Sequence, residues 1–194
     1  ACEVVDRSAR PVEGAQVGLL WGEFDPLEHS WTWITGADGR VWIPRLEEQL
    51  WPDGYRGPVR VSLAAGVQGE PEIVVLSTDS VPSEPVRFVA GDFARMVVQL
   101  TDPQGTELAL GGYVQVEISW DSIFDKSLAM RGGASLHLPL VSGRAVFECI
   151  GLGLPLDISV GAEGHDNVWL NVPGPTAPGE ELRVLIPVGE RRAN

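Results

Sequence analysis

Hydrophobic and polar residues alternate along many short segments of the chain. Alternation places every second side chain on the same side of an extended strand, so that one face is buried and the other meets water. Helix-period patterns do not persist beyond about two turns. The clearest apolar faces are the sets Ala15, Val17, Leu19 and Trp21; Val59, Val61 and Leu63; and Ile158, Val160 and Ala162.

Turn residues separate these segments. The 23 glycines and 15 prolines are spread along the 194 residues, as is typical of proteins built from many short strands joined by tight turns. Half-buried antiparallel strands usually pack as two facing sheets. The predicted fold class is therefore all-β, with antiparallel β-sandwiches.

The order of segments in the first half recurs in the second half, which indicates an internal repeat. The turn at Gly39-Arg40 has a counterpart at Gly143-Arg144. The strand-like segment Val59–Gly66 has a counterpart at Asp157–Gly164. The spacing varies between the halves, as loops permit.

We therefore predict two tandem Ig-like/transthyretin-like domains, 1–90 and 91–194, that meet at Ala90-Gly91-Asp92. Because this connection is short, we expect the domains to touch and to be stiff relative to each other. Eight inward positions are predicted to lie in the two cores: Val17, Leu19, Val61, Leu63, Val116, Ile118, Ile158 and Val160.

The charge balance excludes some classes of partner. With 27 acidic and 14 basic residues the net charge is -13, which repels nucleic acid and anionic membranes. The chain has no apolar run near 18 residues, so we expect no membrane insertion. Because it begins almost inside a strand, we expect it to be part of a longer chain. Cys2 and Cys149 are expected to be two buried or idle thiols, because a disulfide would have to bridge both halves.

One stretch of motifs resembles a known family. Val5-Asp6, Pro11-Val12-x-Gly14-Ala15-x-Val17 and Thr35-x-x-Asp38-Gly39-Arg40-Val41 are similar to the carboxypeptidase regulatory-like domain, a transthyretin-like β-sandwich. The second half is a diverged relative, with Glu107–Gly112 where the first half has its Pro-x-x-Gly-Ala element. The resemblance implies a non-catalytic module of a bacterial protein that is extracellular, at the cell surface or periplasmic.

No pattern in the sequence predicts a catalytic or metal site. His29, His137 and His165 stand in separate segments without ligand spacing. Glu23, Asp25 and Glu28 cluster beside His29, but their loop lacks the alternating acidic ladder and the turn glycine of a calcium site. We expect no cofactor, no metal and no enzymatic activity. A hydrolase would require carboxylates from distant loops to converge in a cleft.

The tryptophans suggest the one candidate binding site. Trp31 and Trp33 alternate onto one face, and Trp42 points outward if its neighbours Val41 and Ile43 point inward. We expect Trp31, Trp33 and Trp42 to lie on one face of the first sandwich. A row of indoles near Glu23, Asp25 and Glu28 is typical of a sugar-binding sheet, because rings stack on C–H faces and acids accept hydrogen bonds from hydroxyls. Alternatively, a short helical turn at 45–51 covers this face and makes the tryptophans part of the core.

Two functions therefore remain open. The leading hypothesis is a structural or interaction module with a protein or glycan partner. The alternative is a carbohydrate-binding module that uses Trp31, Trp33 and Trp42, with Glu23, Asp25 and Glu28 beside them.

The turn at Asp38-Gly39 allows a first test. This dipeptide favours a tight hairpin with Gly39 at positive φ. Replacing Gly39 with Val should then lower the free energy of unfolding by about 1 kcal/mol or more, measured by urea denaturation. A negative φ at Gly39 would remove the reason for this loss.

Overall fold

The computed structural model describes residues 1–21, 31–43, 59–64, 73–76, 82–119 and 136–189. In these ranges the chain forms strands and turns and no helix. The expected all-β sandwich fold is confirmed. The short helical turn expected at 45–51 lies outside the described residues.

The first half forms two sheets. Its strands are β1 (Cys2–Val5), β2 (Gln16–Trp21), β3 (Trp31–Ile34), β4 (Arg40–Val41), β5 (Val59–Ala64), β6 (Ile73–Leu76) and β7 (Val86–Val89). One sheet has the order β4-β1-β7 and the other the order β3-β2-β5-β6.

The second half repeats this arrangement. Its strands are β8 (Phe93–Thr101), β9 (Gly112–Ile118), β10 (Leu136–Pro139), β11 (Arg144–Gly151), β12 (Pro155–Ala162), β13 (Val168–Pro173) and β14 (Glu181–Pro187). The sheet orders are β11-β8-β14 and β10-β9-β12-β13. Each strand therefore occupies the same place as the strand seven positions earlier, as expected of an internal repeat.

One strand pair in each half departs from the expected antiparallel arrangement. β7 runs parallel to β1, and β14 runs parallel to β8. Each closing strand arrives from the opposite sheet, so no hairpin forces it to run against its neighbour. The parallel pairing was not predicted, because alternation within a strand carries no information on its direction.

The inner faces of the sheets form two hydrophobic clusters. One joins residues of the first half with Cys149, and the other lies wholly in the second half between Met96 and Val188. Seven predicted core residues are at most 2% exposed: Val17, Leu19, Val61, Leu63, Val116, Ile158 and Val160. The side chain of Ile118, the eighth predicted core residue, is not among those that the structure describes.

In each half, the first strand is followed by the same aspartate-stabilised turn. Asp6 Oδ1 accepts hydrogen bonds from the amides of Ser8 and Arg10 at 2.8 and 2.9 Å. Asp102 Oδ1 accepts from Gln104 and Thr106 at 2.9 and 2.8 Å. Aspartate favours such turns because its carboxylate satisfies backbone donors two and four residues ahead.

These amides also lower the pKa of both carboxyls. The largest cause is the Arg10 amide at Asp6 and the Thr106 amide at Asp102. A lowered pKa in the folded state stabilises the fold above the pKa of the unfolded chain, and this stabilisation is lost as the pH falls through the folded value. Both turns are therefore expected to weaken in acid.

The turn at Gly39 has the expected backbone but a different role. Gly39 has a φ of 69°, and its amide donates to Gly36 O at 2.9 Å. A Cβ at Gly39 would lie 2.5 Å from Val4 O, so the close approach adds to the conformational penalty. β3 and β4 belong to different sheets, so this turn carries the chain across the sandwich and is not a hairpin within one sheet.

The boundary between the halves lies between β7 and β8. β7 ends at Val89 and β8 begins at Phe93, and no strand pairing among the described residues crosses this point. The division into domains 1–90 and 91–194 remains our proposal, and the separate sheets support it.

The two aspartate turns differ at one position, which generates a prediction. Ala9 has a φ of 62°, whereas its counterpart Gly105 has a φ of 88°. Since alanine is strained in this region and glycine is not, Ala9→Gly should raise the free energy of unfolding by about 0.5–1 kcal/mol.

The matched control is Gly105→Ala, which should lower the free energy of unfolding by a similar amount. A Cβ at Gly105 would meet nothing within 4 Å, so this variant reports backbone conformation alone. Urea denaturation of both variants is the measurement. Changes of the same sign in the two variants would contradict the assignment of strain to Ala9.

Candidate functional site

The junction between the halves is the site at which the structure brings distant residues together. The connection consists of Ala90, Gly91 and Asp92, between β7 and β8. Ala90 is 1% exposed, and its amide donates to Val5 O at 2.7 Å. The start of the connection is therefore anchored in the first half.

A β-bulge in β11 shapes the other side of the junction. Phe147 pairs with Met96 and Ile150 with Ala94 in β8, so β11 contains one extra residue between these pairs. The extra residue disrupts the alternation and redirects side chains, as bulges do. Cys149 is buried in the first-half cluster, whereas Phe147 and Ile150 are buried in the second-half cluster.

The bulge also brings Glu148 against the first half. A Cβ added to Gly14 would lie 2.6 Å from Glu148 Cβ, a distance that real Cβ atoms do not tolerate. Gly14 also has a φ of 76°, which disfavours any larger residue. The absence of a side chain at Gly14 therefore permits the backbone of the first half to approach β11.

Ion pairs at the junction lie at its surface. Arg7 Nη1 is 3.2 Å from Asp92 Oδ2, and these side chains are 66% and 46% exposed. Arg95 contacts Glu181 at 2.9 Å and Glu148 at 3.2 Å. The latter contact has ion-pair distance, but the N–H of Arg95 Nε is not aligned for a hydrogen bond. Exposed pairs such as these stabilise by about 0–1 kcal/mol each, so burial at the bulge dominates the contact.

A cleft of about 350 Å³ opens beside these pairs. Its charged lining consists of Asp6, Arg7, Arg10, Asp92, Arg95 and Glu148. Each arginine already contacts a carboxylate of this set, so the described residues that line the cleft leave no unpaired charge with which to bind an ion. Across the described ranges, no group of three or more His, Cys, Asp or Glu side chains is placed to hold a metal ion.

The two thiols are protected by burial. Cys2 and Cys149 are free and buried, as the sequence predicts. Burial raises the pKa of the Cys149 thiol to about 12 and that of Cys2 to about 11. Since the thiolate is the nucleophilic form, neither group is suited to chemistry near neutral pH.

The predicted tryptophan site is not assembled as expected. Trp33 is opposite Val17 in the β2–β3 ladder, so it points to the core side and packs against the first-half cluster. Trp42 is 75% exposed and follows β4 in the other sheet. The expectation that Trp33 and Trp42 share one face is therefore wrong, because the turn at 35–39 carries the chain between sheets.

The other predicted site residues are only partly located. Trp31 pairs with Leu19 in the same ladder as Trp33, and nothing is described of its side chain. Glu23, Asp25, Glu28 and His29 lie outside the described residues. Val41 is buried and Ile43 packs against the cluster, so the outward direction predicted for Trp42 is confirmed. A binding role for this set stays a prediction.

Sequence reasoning missed two features. One is the bulge at Glu148-Cys149, whose only sequence signal is the hydrophobic pair Cys149-Ile150 after an alternating run. The other is the outward position of Trp169, which is 70% exposed. The sequence does contain a signal for this position. Val168 and Leu170 on either side are apolar, and if both point inward, alternation places Trp169 outward.

Comparisons with known proteins add the following. No protein-family model matches the chain, and no curated protein matches it. In the described part of the chain, no helix is long and apolar enough to cross a membrane.

Several solved structures resemble the whole chain at low similarity. The Bacillus anthracis TIE protein is 10% identical with a TM-score of 0.38, and the match covers 97% of this chain and 33% of that one. A streptococcal ancillary pilin is 15% identical with a TM-score of 0.34, covering 99% and 62%. A variant of the shaft pilin SpaA from Lactobacillus rhamnosus GG is 13% identical with a TM-score of 0.34, covering 98% and 97%.

These TM-scores are too low to carry an inference about the function of this chain. The chain spans a third of the length of the first of these proteins and less than two thirds of the second.

The buried junction generates a prediction about thiol reactivity. Because Cys149 is enclosed between the two halves, the native chain should not react with Ellman's reagent at pH 8, and labelling should follow unfolding. In denaturant both cysteines should react, which supplies the control. Rapid labelling of Cys149 alone in the native chain would show that the junction opens and would contradict the described packing.

Proposed function

We propose that the chain is a non-catalytic structural or interaction module that holds two β-sandwiches in a fixed relative position. The observation that carries this proposal is the bulge in β11, which places Cys149 of the second half in the hydrophobic cluster of the first. Domains that share buried residues across a short connection move less than domains joined by a polar interface alone.

Three features of the junction support a stiff arrangement. The connection between β7 and β8 has three residues, and the first of them is buried and hydrogen-bonded to β1. Glu148 packs against Gly14. The cleft beside them has its charges paired within the protein. Among the residues that the structure describes, the site offers contacts that maintain a geometry and no group poised for a reaction.

The family and the location belong to the same proposal. Pro11–Val17 and Thr35–Val41 support a transthyretin-like domain of the carboxypeptidase regulatory-like type in the first half. The second half, with the same strand pairing, is proposed as a diverged copy. Such a module fits a bacterial protein that acts outside the cytoplasm, where domains of this type serve as accessories to other parts of a protein.

Stiffness is tested by measuring a distance between the halves. Spin labels at Val75→Cys in β6 and Leu185→Cys in β14 occupy strand positions that are 59% and 58% exposed. Pulsed electron paramagnetic resonance should give one narrow distance distribution, because the shared cluster holds the halves together. A broad distribution in the otherwise unchanged chain would contradict the proposal.

A matched pair of glycine variants shows whether the junction is responsible. Gly14→Ala introduces a Cβ against Glu148 at a positive φ, and it should broaden or shift the distribution. Gly153→Ala carries the same kind of φ penalty at 69°, but its Cβ would meet nothing within 4 Å. The distribution of the Gly153 variant should stay unchanged, and equal effects of the two would show that packing at Gly14 does not fix the geometry.

A further inference from the structure

The outer side of the sheet β10-β9-β12-β13 has a chemistry that the proposed function does not use. On β9, β12 and β13 the residues at every second position are buried or pack against the second-half cluster. Their neighbours therefore point outward. We call this surface the aromatic–polar face; its outward residues include Tyr113, Gln115, Glu117, Asp157, Trp169 and Asn171, and His137 of β10 lies opposite Gln115 on the same face.

The register arranges these residues in rows across the sheet. Gln115 is opposite Ser159, which is opposite Trp169. Glu117 is opposite Asp157, which is opposite Asn171. Ser159 is 4% exposed. The longer outward side chains of β9 and β13 therefore project beyond the short side chains of the strand between them, β12.

The two aromatic side chains are exposed and separated. Trp169 is 70% exposed and Tyr113 is 44% exposed. They lie two strands and about two residues apart, which corresponds to roughly 12 Å. A ligand that contacts both rings must therefore be longer than a single sugar.

Tyr113 is held in position by the neighbouring strand. A Cβ added to Gly161 would lie 2.4 Å from Cε1 of the Tyr113 ring, so the ring occupies the space that a side chain on β12 would fill. Its position is set before any ligand arrives, which lowers the entropic cost of binding. An exposed ring presents a flat apolar surface with a polar hydroxyl at its edge.

The polar groups are also ordered by contacts among themselves. Asn171 Nδ2 donates to Asp157 Oδ1 at 2.7 Å and to Ser119 Oγ at 3.0 Å. Gln115 Nε2 donates to Glu117 Oε1. Since a carboxylate has about four lone-pair positions, Asp157 and Glu117 retain the capacity to accept hydrogen bonds from hydroxyl groups.

The charge of the face selects among partners. The four strands of this sheet contain two carboxylates, Glu117 and Asp157, one histidine, His137, and neither lysine nor arginine. An anionic glycan or a nucleic acid would be repelled. A second copy that used the same face by two-fold symmetry would bring these carboxylates toward their own equivalents with no lysine or arginine from the four strands to pair with them. A ligand that is uncharged and rich in hydroxyl donors avoids both costs.

We propose that the aromatic–polar face binds a neutral oligosaccharide chain. Tyr113 and Trp169 stack on the C–H faces of sugar rings, and Glu117, Asp157 and the amides of Gln115 and Asn171 bond to their hydroxyls. This surface is distinct from the tryptophan site that the sequence predicts in the first half, and the proposal does not depend on the stiffness of the junction.

The test is binding to an array of neutral oligosaccharides and to heparin, followed by affinity electrophoresis in the soluble polysaccharide that corresponds to the strongest array signal. Trp169→Ala should weaken binding about tenfold or more, the usual loss when a central aromatic contact is removed. Glu117→Ala should also weaken it, through loss of a hydrogen-bond acceptor. Thermal melts of both variants should match the parent chain, since both side chains lie on the outer face.

The control is Leu185→Ala, which removes an apolar side chain that is 58% exposed on the other sheet of the second half, β11-β8-β14. Binding by this variant should equal that of the parent chain. The proposal is overturned if no neutral oligosaccharide binds, if heparin binds more tightly than the neutral glycans, or if Leu185→Ala removes binding and Trp169→Ala does not. A dimer that Trp169→Ala dissociates would also overturn it, because the occupant would then be a second copy.

Discussion

At the bulge in β11, two residues that are adjacent in sequence are buried in different hydrophobic clusters. A regular strand sends alternate side chains to opposite faces, so Cys149 and Ile150 could not both be buried if one of those faces met water. The extra residue shifts the alternation by one position, so that Ile150 joins Phe147 in the core of the second half and Cys149 points to the first half, which covers it. The contact between Gly14 and Glu148 depends on the same local distortion. The bulge therefore supplies buried contact between the two halves, beside the anchored connection at Ala90 and the packing of Phe93 on the first-half cluster.

The two halves share a framework and differ in what they present to solvent. Strand order and direction are the same in both, down to the parallel closing strand and the aspartate turns at Asp6 and Asp102. These shared features bury apolar faces and satisfy backbone donors, and they place no demand on the outward side chains. The second half uses this freedom to display Tyr113 and Trp169 beside carboxylates and amides. A structural role at the junction and a binding role on an outer face are therefore compatible in one chain.

The candidate sites were harder to predict than the fold. The inward positions of Val17, Leu63 and Ile158 follow from alternation alone, and all three are buried. Whether Trp33 and Trp42 share a face depends instead on which sheet each strand joins, and alternation within a strand does not contain that information. The turn at Gly39 was correctly predicted to need a positive φ, but the same local signal serves a hairpin and a crossing between sheets.

By itself, the sequence determined the all-β class, the repeat, the strand phases and the turns. Each of these depends on residues that are only a few positions apart. Alternation sets the strand phase, a glycine accepts positive φ in a turn, and an aspartate accepts hydrogen bonds from nearby amides. Only the tertiary structure decided the parallel pairing of β7 with β1 and of β14 with β8, the separation of Trp33 from Trp42, and the burial of Cys149 in the other half. These features arise from contacts between residues far apart in the chain. One extra residue in a strand reverses the faces of all the positions that follow it, and only the packing of the complete chain shows where that residue is accommodated.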